Sequence, residues 1–572
     1  MLPSFLRNSS LLLALLLCPF GIGCKAQPLS SPAQQPASSS VSSADAAAIS
    51  AQLHTIAAAG KLSILHWPEF SDYRLHFEHV YQASNFAPIW LNNGQPTPQA
   101  LAVIQALESS QEKGLKPEDY DAALWPARIA ALKSSADADT QARFDAALTI
   151  CAMRYISDLH IGRVNPKHFK FGIDVEQKKY DLPQFLTQDV ARAANIQAVL
   201  AGVEPPYAGY KRTEIALDHY LQLAAKGDGP PVPEVQKSIA PGDPYPGIPQ
   251  LAQRLQLLGD LPQTAVVDTN SSLYTGAIVD AVKLFQDRHG LAPDGKLGKE
   301  TIRQINVPLS VRVLQLQDAL ERWRWLPPSF PQPPVVVNVP EFVLRAYARD
   351  QTVALRMNVV VGKALRHQTP VFAKDMKYIV FRPYWNVPSS ILRSEIIPSI
   401  VKNRNYIANK NFEVTDHSGN VITSGPISDA VLAQLRAGKL TVRQKPGPDN
   451  ALGLVKFLFP NEHSVYLHST PAPQLFSQSR RDFSHGCIRV QKPAELAAYL
   501  LRNQSWTLEK VQAAMQSGPN NQQVNLAIPV PVLILYVTAV VEADGSVHFF
   551  DDIYGHDKEL QAILAKGEPY PG

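Results

Sequence analysis

The hydrophobic periodicity of the chain changes near residue 334, and this change restricts the folds that the sequence can adopt. Before it, Ala and Leu recur at helical spacing, most clearly in 97–110 and 140–160. After it, short β-branched and aromatic runs such as Pro334–Val339 and Phe342–Tyr347 form a hairpin-like strand pattern. At about 150 residues per domain, the 572 residues predict three or four domains. We therefore expect a multidomain chain with a mainly helical N-terminal part and a β-rich C-terminal part.

Charge and cysteine content exclude several classes of protein. The 54 basic and 50 acidic side chains leave a net charge of only +4, which argues against a dedicated nucleic-acid-binding protein. The chain has 4 cysteines, at positions 18, 24, 151 and 487. So few cysteines exclude a disulfide scaffold and a multi-cysteine zinc or iron–sulfur protein.

Residues 1–26 have the pattern of a secretory signal peptide. Arg7 provides the positive charge, and the apolar run Leu11–Leu17 is shorter than the roughly 20 residues that span a bilayer. Two cleavage interpretations remain open. In the first, Gly-Ile-Gly before Cys24 resembles a bacterial lipobox, and Cys24 would be lipidated, although Gly21 stands where leucine is usual. In the second, cleavage follows Ala26. The Pro/Ser/Gln-rich residues 27–44 predict a flexible linker.

Export leaves Cys151 and Cys487 in the mature chain, and an exported pair could form a disulfide bond. Cys151, however, lies in the helical apolar pattern ALTICAMRYISDLHIG, where a small buried hydrophobic residue is expected. Cys487 lies in a different context, described below.

The middle of the chain predicts two helical domains. Residues 45–240 show no obvious chemistry, and we interpret them as a helical scaffold domain. Residues 247–308 predict a three-helix bundle, and 281–301 (AVKLFQDRHGLAPDGKLGKET) are similar to the signature of the peptidoglycan-binding domain. The alternative is that these residues only pack a small bundle that serves as a spacer.

Residues 309–560 predict one β-rich domain with a helical and polar insertion at about 389–445. The expected helices in the insertion are Ser389–Ile400 and Asp429–Ala437. The last expected strands, Pro531–Val541 and Ser546–Phe550, would pair across the turn at Asp544-Gly545.

The segment Ser484-His485-Gly486-Cys487-Ile488-Arg489-Val490 carries the most specific chemical signal. A cysteine attacks a carbonyl as the thiolate and therefore needs a nearby base or positive field. His468 precedes Cys487 by 19 positions, which allows a strand, a loop and a return. Gly486 permits close approach of the backbone to a substrate, and the amides of Gly486 and Cys487 could hold an oxyanion. A third group should orient the imidazole.

Two other interpretations of the segment are weaker. A zinc site built from His463, His468, His485 and Cys487 lacks the paired short spacing of zinc ligands, so no metal or other cofactor is expected. An inert core thiol is disfavoured by the neighbouring glycine, histidines and arginine.

His468 followed by Ser-His-Gly-Cys-Ile-Arg-Val resembles the motif of the L,D-transpeptidase catalytic domain. The resemblance extends to the large multidomain subfamily, which joins a scaffold domain, a peptidoglycan-binding domain and a catalytic domain with a capping insertion. It is carried by Glu321–Pro327, Val359–Lys363, Thr369–Phe372, Pro383–Pro388, Gln444–Gly447 and Asn450–Gly453. Two residues depart from the pattern: Arg382 stands where asparagine is expected, and Ser469 where aspartate is common.

The resemblance implies a β-sandwich-like fold and a cysteine acyltransferase. Cys487, helped by His468, would attack the diaminopimelate–D-alanine bond of a peptidoglycan tetrapeptide stem, release D-Ala and pass the acyl group to an amine, giving a 3→3 cross-link. The Ser469 carbonyl would orient His468, and carbapenems would acylate Cys487. The implied substrate-binding residues are Ser484, His485, Arg489, Tyr466, Tyr384 and Trp385. A salt bridge within the fold is the alternative for Arg489, and core packing is the alternative for Tyr384 and Trp385.

The implied setting is cell-wall biogenesis, with its contribution to cell shape, in the periplasm of a Gram-negative-type bacterium, with cell-wall synthases as further partners. A lipid anchor at Cys24 follows only from the lipobox interpretation. Two other functions stay open: an L,D-carboxypeptidase that hydrolyses the same bond, and a non-catalytic protein that binds the wall through residues 247–308.

Overall fold

The computed structural model describes residues 43–570, except 136 and 366. The predicted signal peptide, Cys24 and nearly all of the predicted linker lie outside the described residues. Within them, no helix has both the length and the apolar character needed to cross a bilayer.

The N-terminal region packs helices around one long central helix. Its elements are α1 (Ser43–Ala59), α2 (Arg74–Ala83), β1 (Leu91–Asn92), β2 (Gln95–Pro96), α3 (Pro98–Glu108), α4 (Trp125–Ser134), α5 (Ala138–Ile161), α6 (Leu182–Phe185), α7 (Ile196–Val203) and α8 (Ala208–Lys226). Helix α5 begins where the Asp137 carboxylate accepts from the Thr140 amide, and it ends at Gly162, whose φ is 85°. Cys151 lies on α5 as a fully buried free thiol, so the predicted core role is confirmed and no disulfide joins it to Cys487.

The three helices expected in 247–308 are present. They are α9 (Ile248–Leu257), α10 (Ala277–Arg288) and α11 (Lys299–Ile305), packed around an apolar core that includes Leu251, Val282, Phe285 and Ile302. The turn between α10 and α11 is fixed by Gln286, whose side chain accepts from the Gly295 amide at 2.8 Å.

Helix α12 (Leu309–Arg324) ties the helical region to the β-rich region through buried charges. The Glu321 carboxylate accepts from the Arg163 and Val164 amides at 2.6 and 3.0 Å and pairs with the Arg163 guanidinium at 3.2 Å. Arg322 pairs with Asp557 at 2.6 Å. Because breaking a buried ion pair leaves an uncompensated charge, these contacts hold the domains in one arrangement.

The C-terminal region follows the predicted change to β structure. Its elements are β3 (Val335–Asn338), β4 (Val343–Tyr347), β5 (Val353–Gly362), β6 (Phe372–Phe381), β7 (Trp385–Asn386), α13 (Ser389–Ile391), α14 (Ile397–Lys402), α15 (Tyr406–Asn409), β8 (Phe412–Thr415), β9 (Val421–Thr423), α16 (Asp429–Arg436), β10 (Thr441–Gln444), β11 (Val455–Leu458), β12 (Leu467–His468), β13 (Asp482–Ser484), β14 (Ile488–Val490), α17 (Pro493–Leu501), α18 (Leu508–Ser517), β15 (Gln522–Leu535), β16 (Ala539–Val541), β17 (Val547–Phe549) and α19 (His556–Leu564).

The main sheet has the strand order β13-β5-β14-β12-β11-β6-β15-β3-β4 and closes on itself because β4 also pairs with β5. The predicted hairpin is present as the antiparallel pair β3–β4. Apolar side chains that alternate along these strands, such as Val359, Phe457, Leu467 and Ile488, fill the interior. The expected multidomain architecture with a helical N-terminal part and a β-rich C-terminal part is therefore confirmed.

The predicted insertion forms a subdomain with its own apolar core. The helices expected at Ser389–Ile400 and Asp429–Ala437 are present in outline, with a π-helical turn between α13 and α14. They pack on a small sheet of order β7-β10-β8-β9, which the sequence pattern did not predict. We call residues 385–444 the capping subdomain.

The expected strand Pro531–Val541 is wrong as a single element. Strand β15 ends at Leu535, and β16 forms a separate hairpin with β17 that packs against α8 and α12. The physical reason is Asn338, whose side chain binds both the amide and the carbonyl of Val537 at 2.9 Å and so takes the place of the next ladder partners.

Candidate active site

The register of two neighbouring strands places the predicted nucleophile and base on one face of the sheet. Strands β12 and β14 run parallel, with Leu467 opposite Ile488 and His468 opposite Arg489. Leu467 and Ile488 are buried in the sheet interior. Since side chains alternate along a strand, His468 and Arg489 point to the other face, together with Tyr466 and Cys487. We call this the outward face.

The turn that presents Cys487 is fixed by short hydrogen bonds. Ser484 Oγ donates to the Cys487 carbonyl at 2.5 Å and accepts from the Gly486 amide at 3.1 Å. Gly486 has a φ of 114°, a conformation that requires glycine. The Gly486 amide already donates to Ser484. Of the two predicted oxyanion donors, the Cys487 amide therefore stays the prediction.

Thr369 and Tyr554 hold this turn from behind. Thr369 Oγ1 donates to the Gly486 carbonyl at 2.8 Å and accepts from the Gly362 amide at 2.9 Å. The Tyr554 hydroxyl donates to the Gly362 carbonyl at 2.6 Å and accepts from the Thr369 amide at 3.2 Å. Sequence reasoning missed the role of both side chains, because three of the four contacts join residues more than one hundred positions apart in the chain.

The Cys487 thiol is half-buried and lies 3.8 Å from the Ser464 carbonyl oxygen. Burial raises the pKa of Cys487, against the opposing effects of hydrogen bonds from Tyr466 and the charge of Arg489. Burial and the adjacent Cys487 raise the pKa of Tyr466 in turn. The thiol is therefore protonated at neutral pH.

His468 is buried and held in one orientation. Its Nδ1 donates to the Ser469 carbonyl at 2.5 Å, the contact predicted for Ser469, which leaves Nε2 as the basic nitrogen. Burial and the charge of Arg489 lower the pKa of His468 to about 3. The imidazole is thus neutral at pH 7, and the hydrogen bonds of the thiol go to Ser464 and Tyr466 rather than to His468.

Arg489 lies half-buried beside both groups without a carboxylate partner among the described residues. Its Nε is buried and has no hydrogen-bond acceptor there. Burial lowers the pKa of Arg489, and Cys487 opposes that effect. The salt-bridge alternative is therefore not formed within the described part of the chain, and substrate binding by Arg489 stays a prediction.

His485 connects the catalytic turn to the capping subdomain. Its Nε2 lies 2.7 Å from Glu395 Oε1, on the π-helical turn of that subdomain, and its ring centroid lies 4.9 Å from that of His367. Sequence reasoning missed Glu395, since no local pattern relates two residues 90 positions apart.

Tyr384 and Trp385 lie at the entrance to the capping subdomain. The Arg443 guanidinium lies 4.5 Å from the centre of the Tyr384 ring. Trp385 packs against the core of the subdomain, with its ring 6.0 Å from that of Phe412. These contacts match the packing alternative for Trp385, and the predicted contact of either side chain with substrate stays a prediction.

The two departures from the family motif are accommodated locally in the fold. Arg382 has a φ of 48°, a conformation that asparagine adopts more readily, which accounts for the asparagine expected there. Its side chain instead donates to the Gln516 carbonyl at 2.6 Å and to Asn520 at 2.9 Å. Ser469 contributes its backbone carbonyl to His468, and a serine and an aspartate supply that group equally.

No group of three or more His, Cys, Asp or Glu side chains within residues 43–570, apart from 136 and 366, has the geometry to hold a metal ion. The four residues weighed for zinc take other positions. His468 and Cys487 lie on the outward face, while His485 contacts Glu395 and His463 packs on Phe372 with ring centroids 5.2 Å apart.

Comparisons with known proteins match three segments of the chain to family models. Residues 76–217 match "Scaffold domain", residues 245–305 match "Putative peptidoglycan binding domain" and residues 333–518 match "L,D-transpeptidase catalytic domain". A "Putative L,D-transpeptidase" of Haemophilus influenzae is 33% identical over 226 residues. That alignment covers 40% of this chain and 45% of the relative, so the chain spans about half of the relative's length.

The three matched segments follow one another in the order that the sequence motifs predict, and the Ser-His-Gly-Cys turn lies in the third. The chain therefore joins segments that match a scaffold domain and a peptidoglycan-binding domain to a segment, residues 333–518, that matches the L,D-transpeptidase catalytic domain.

Proposed function

We propose that the protein forms a thioester between Cys487 and a peptidoglycan tetrapeptide stem, releases D-Ala and transfers the stem to an amine, which gives a 3→3 cross-link. The observation that carries this proposal is the shared outward face of two adjacent strands. It holds a thiol, an imidazole with Nε2 as its basic nitrogen, and a guanidinium that has no carboxylate partner among the described residues. The match of residues 333–518 to the catalytic-domain family supports it.

The first half-reaction starts from two neutral groups. His468 Nε2 takes the thiol proton while Cys487 Sγ attacks the carbonyl carbon, and the Cys487 amide donates to the oxyanion. The imidazolium then gives this proton to the leaving amine as the C–N bond breaks, so that D-Ala departs and the thioester remains. The Ser469 carbonyl oxygen lies 2.5 Å from Nδ1 and stabilises the imidazolium by accepting its Nδ1–H.

The second half-reaction reverses these roles. Neutral His468 takes a proton from the acceptor amine as the nitrogen attacks the thioester, and the sulfur leaves and regains a proton from the imidazolium. Water in place of the amine would give hydrolysis. Because the same residues serve both outcomes, access of the acceptor decides between them.

Acylation of Cys487 by a tetrapeptide stem tests the proposal directly. We expect the full chain to gain the mass of the acyl group on Cys487 and to produce cross-linked dimer, and we expect no adduct with Cys487→Ala. Tripeptide without dimer would indicate an L,D-carboxypeptidase. Restoration of 3→3 cross-links in a deficient strain by Cys487→Ala would contradict catalysis altogether and favour a wall-binding role.

The role of the base is tested separately. His468→Ala should slow acylation of Cys487 by about 100-fold or more, the usual contribution of a positioned general base. An unchanged acylation rate would contradict the assignment of His468. We infer acylation by carbapenems from the same chemistry, and the mass of the adduct reports it.

We also propose export to the periplasm, with cell-wall synthases as partners, from the signal pattern of residues 1–26 and the wall substrate. Mass spectrometry of the mature N-terminus distinguishes a lipidated Cys24 from cleavage after Ala26.

A further inference from the structure

Building on the proposed function, we propose that Lys456 binds the C-terminal carboxylate of the leaving D-amino acid, and that this contact selects donor stems with a free C-terminus. The site is the part of the outward face beyond His468, on the side away from Cys487. The ligand class is an α-carboxylate adjacent to the amine that leaves.

Strand register places Lys456 next to the catalytic histidine. Strand β11 pairs with β12 so that Lys456 lies opposite His468, and β12 pairs with β14 so that His468 lies opposite Arg489. The neighbours of Lys456 along its strand, Val455 and Phe457, are buried in the sheet interior. Lys456 therefore points to the outward face, and Lys456, His468 and Arg489 form a row across three strands spaced about 4.8 Å apart.

Lys456 is half-buried and has no carboxylate partner in the part of the chain that the structure describes. On strand β6, the other neighbour of β11, the residue opposite Lys456 is Val380, which is 4% exposed. Burial lowers the pKa of Lys456, and no carboxylate of the described chain lies close enough to oppose that effect. An ammonium held against apolar surface without a partner is costly, so such a group is more often found where a ligand supplies the missing charge.

Buried cations elsewhere in the region are compensated in different ways: Arg481 donates to backbone carbonyls, and two others are paired with carboxylates. Arg345 binds Glu341 at 2.6 Å, and Arg322 binds Asp557 at 2.6 Å. Arg489 and Lys456 differ from them, and both lie on the outward face beside His468. Among the described residues, these two cations thus lack a carboxylate partner at the place where a substrate with several carboxylates would bind.

The chemistry of the leaving group decides which carboxylate meets Lys456. In the proposed mechanism His468 gives its proton to the leaving amine, so that amine lies against the imidazole. In an α-amino acid the carboxylate oxygens lie within about 4 Å of the amine nitrogen. Arg489 and the nucleophile occupy the β14 side of His468, which leaves the β11 side, where Lys456 lies, for the departing residue.

A cycle that changes both the enzyme and the donor tests this inference. Lys456→Met keeps most of the side-chain length and removes the charge, and Lys456→Arg restores a charge. Lys377→Met, an exposed lysine on the neighbouring strand β6, is the matched control. The donors are a tetrapeptide stem with a free terminal carboxylate and the same stem as its C-terminal amide, and the readout is kcat/KM for acylation of Cys487 by intact mass.

We expect the wild-type chain to prefer the free acid. Lys456→Met should lower kcat/KM for the acid about 10- to 100-fold, the usual size for a hydrogen bond to a charged group, and leave the amide nearly unchanged. Lys456→Arg should recover most of the loss, and Lys377→Met should behave as wild type. Equal losses on both donors, or no loss on the acid, would overturn the inference.

The design separates this inference from the proposed function. Failure of the wild-type chain to acylate with either donor contradicts the proposed function itself. If Lys456→Met does not fold, the two donors can still be compared on the wild-type chain. An amide donor that reacts as well as the acid would contradict selection of a free carboxylate.

Discussion

Replacement of Thr369 by valine should loosen the turn that presents Cys487. Thr369 is fully buried, and its hydroxyl donates to the Gly486 carbonyl and accepts from the Gly362 amide. Valine has nearly the same shape, so packing is kept while both backbone groups lose their partner. An unsatisfied buried polar group costs about 1–3 kcal/mol, so the two together predict a loss of about 2–4 kcal/mol when some relaxation is allowed.

The expected effect on activity goes beyond this loss of stability. The Gly486 carbonyl and the Cys487 amide belong to one planar peptide group. Loss of the hydrogen bond to the Gly486 carbonyl should therefore also displace the Cys487 amide, the proposed oxyanion donor. We expect Thr369→Val to lower kcat for acylation about 10-fold or more at a temperature where the variant remains folded, since a misplaced oxyanion-hole donor costs at least that much. Thr369→Ser keeps the hydroxyl and should retain most of the wild-type kcat.

Two measurements decide the outcome for Thr369. Chemical denaturation gives the free energy of unfolding, and intact mass gives kcat and KM for acylation of Cys487. Wild-type kcat in a destabilised Thr369→Val variant would refute the positioning role and leave only a structural one. Equal losses in the serine and valine variants would refute the assignment to the hydroxyl.

Two further predictions concern pH and domain association. The pKa of His468 in the free protein is lowered to about 3, so its base form persists in acid. We therefore expect kcat/KM for acylation, which reports the free protein, to stay constant between pH 8 and pH 5. A decline of kcat/KM with a midpoint near 6.5 would contradict a neutral resting pair. Glu321→Ala leaves the buried Arg163 without its carboxylate partner and should lower the free energy of unfolding by about 3–5 kcal/mol. The control Glu300→Ala removes an exposed pair with Arg303 and should lower it by about 0–1 kcal/mol. Equal losses of the two variants in chemical denaturation would contradict this reasoning.

Local patterns were sufficient to predict several elements of the fold and to indicate the candidate nucleophile and base. The helical repeats predicted α5 and α10, and the β-branched runs predicted the hairpin β3–β4. The Ser-His-Gly-Cys segment identified Cys487 because a thiol beside a glycine, with histidines and an arginine nearby, is typical of a nucleophile rather than of a core residue. Each of these signals lies within about twenty residues of sequence.

The residues that sequence reasoning missed depend on long-range register. Lys456 lies beside His468 only because β11 pairs with β12 in one register, and a shift by one residue would turn the lysine into the interior. Glu395 meets His485 through the capping subdomain, and Tyr554 reaches Gly362 from the C-terminal segment. Strand β9 of the capping sheet was missed for another reason, since it has 3 residues and its side chains are half-exposed or exposed.

The electrostatics of the outward face connect substrate binding to reactivity. In the free protein, burial and an uncompensated Arg489 hold His468 neutral, and burial keeps the Cys487 thiol protonated. A bound donor brings carboxylates to this positive surface, which weakens the repulsion that lowers the pKa of His468. Transfer of the thiol proton to the imidazole therefore becomes more favourable once the donor is in place. On the proposed mechanism, the Cys487 thiol stays unreactive until the carboxylates of the substrate compensate the positive charge of this face.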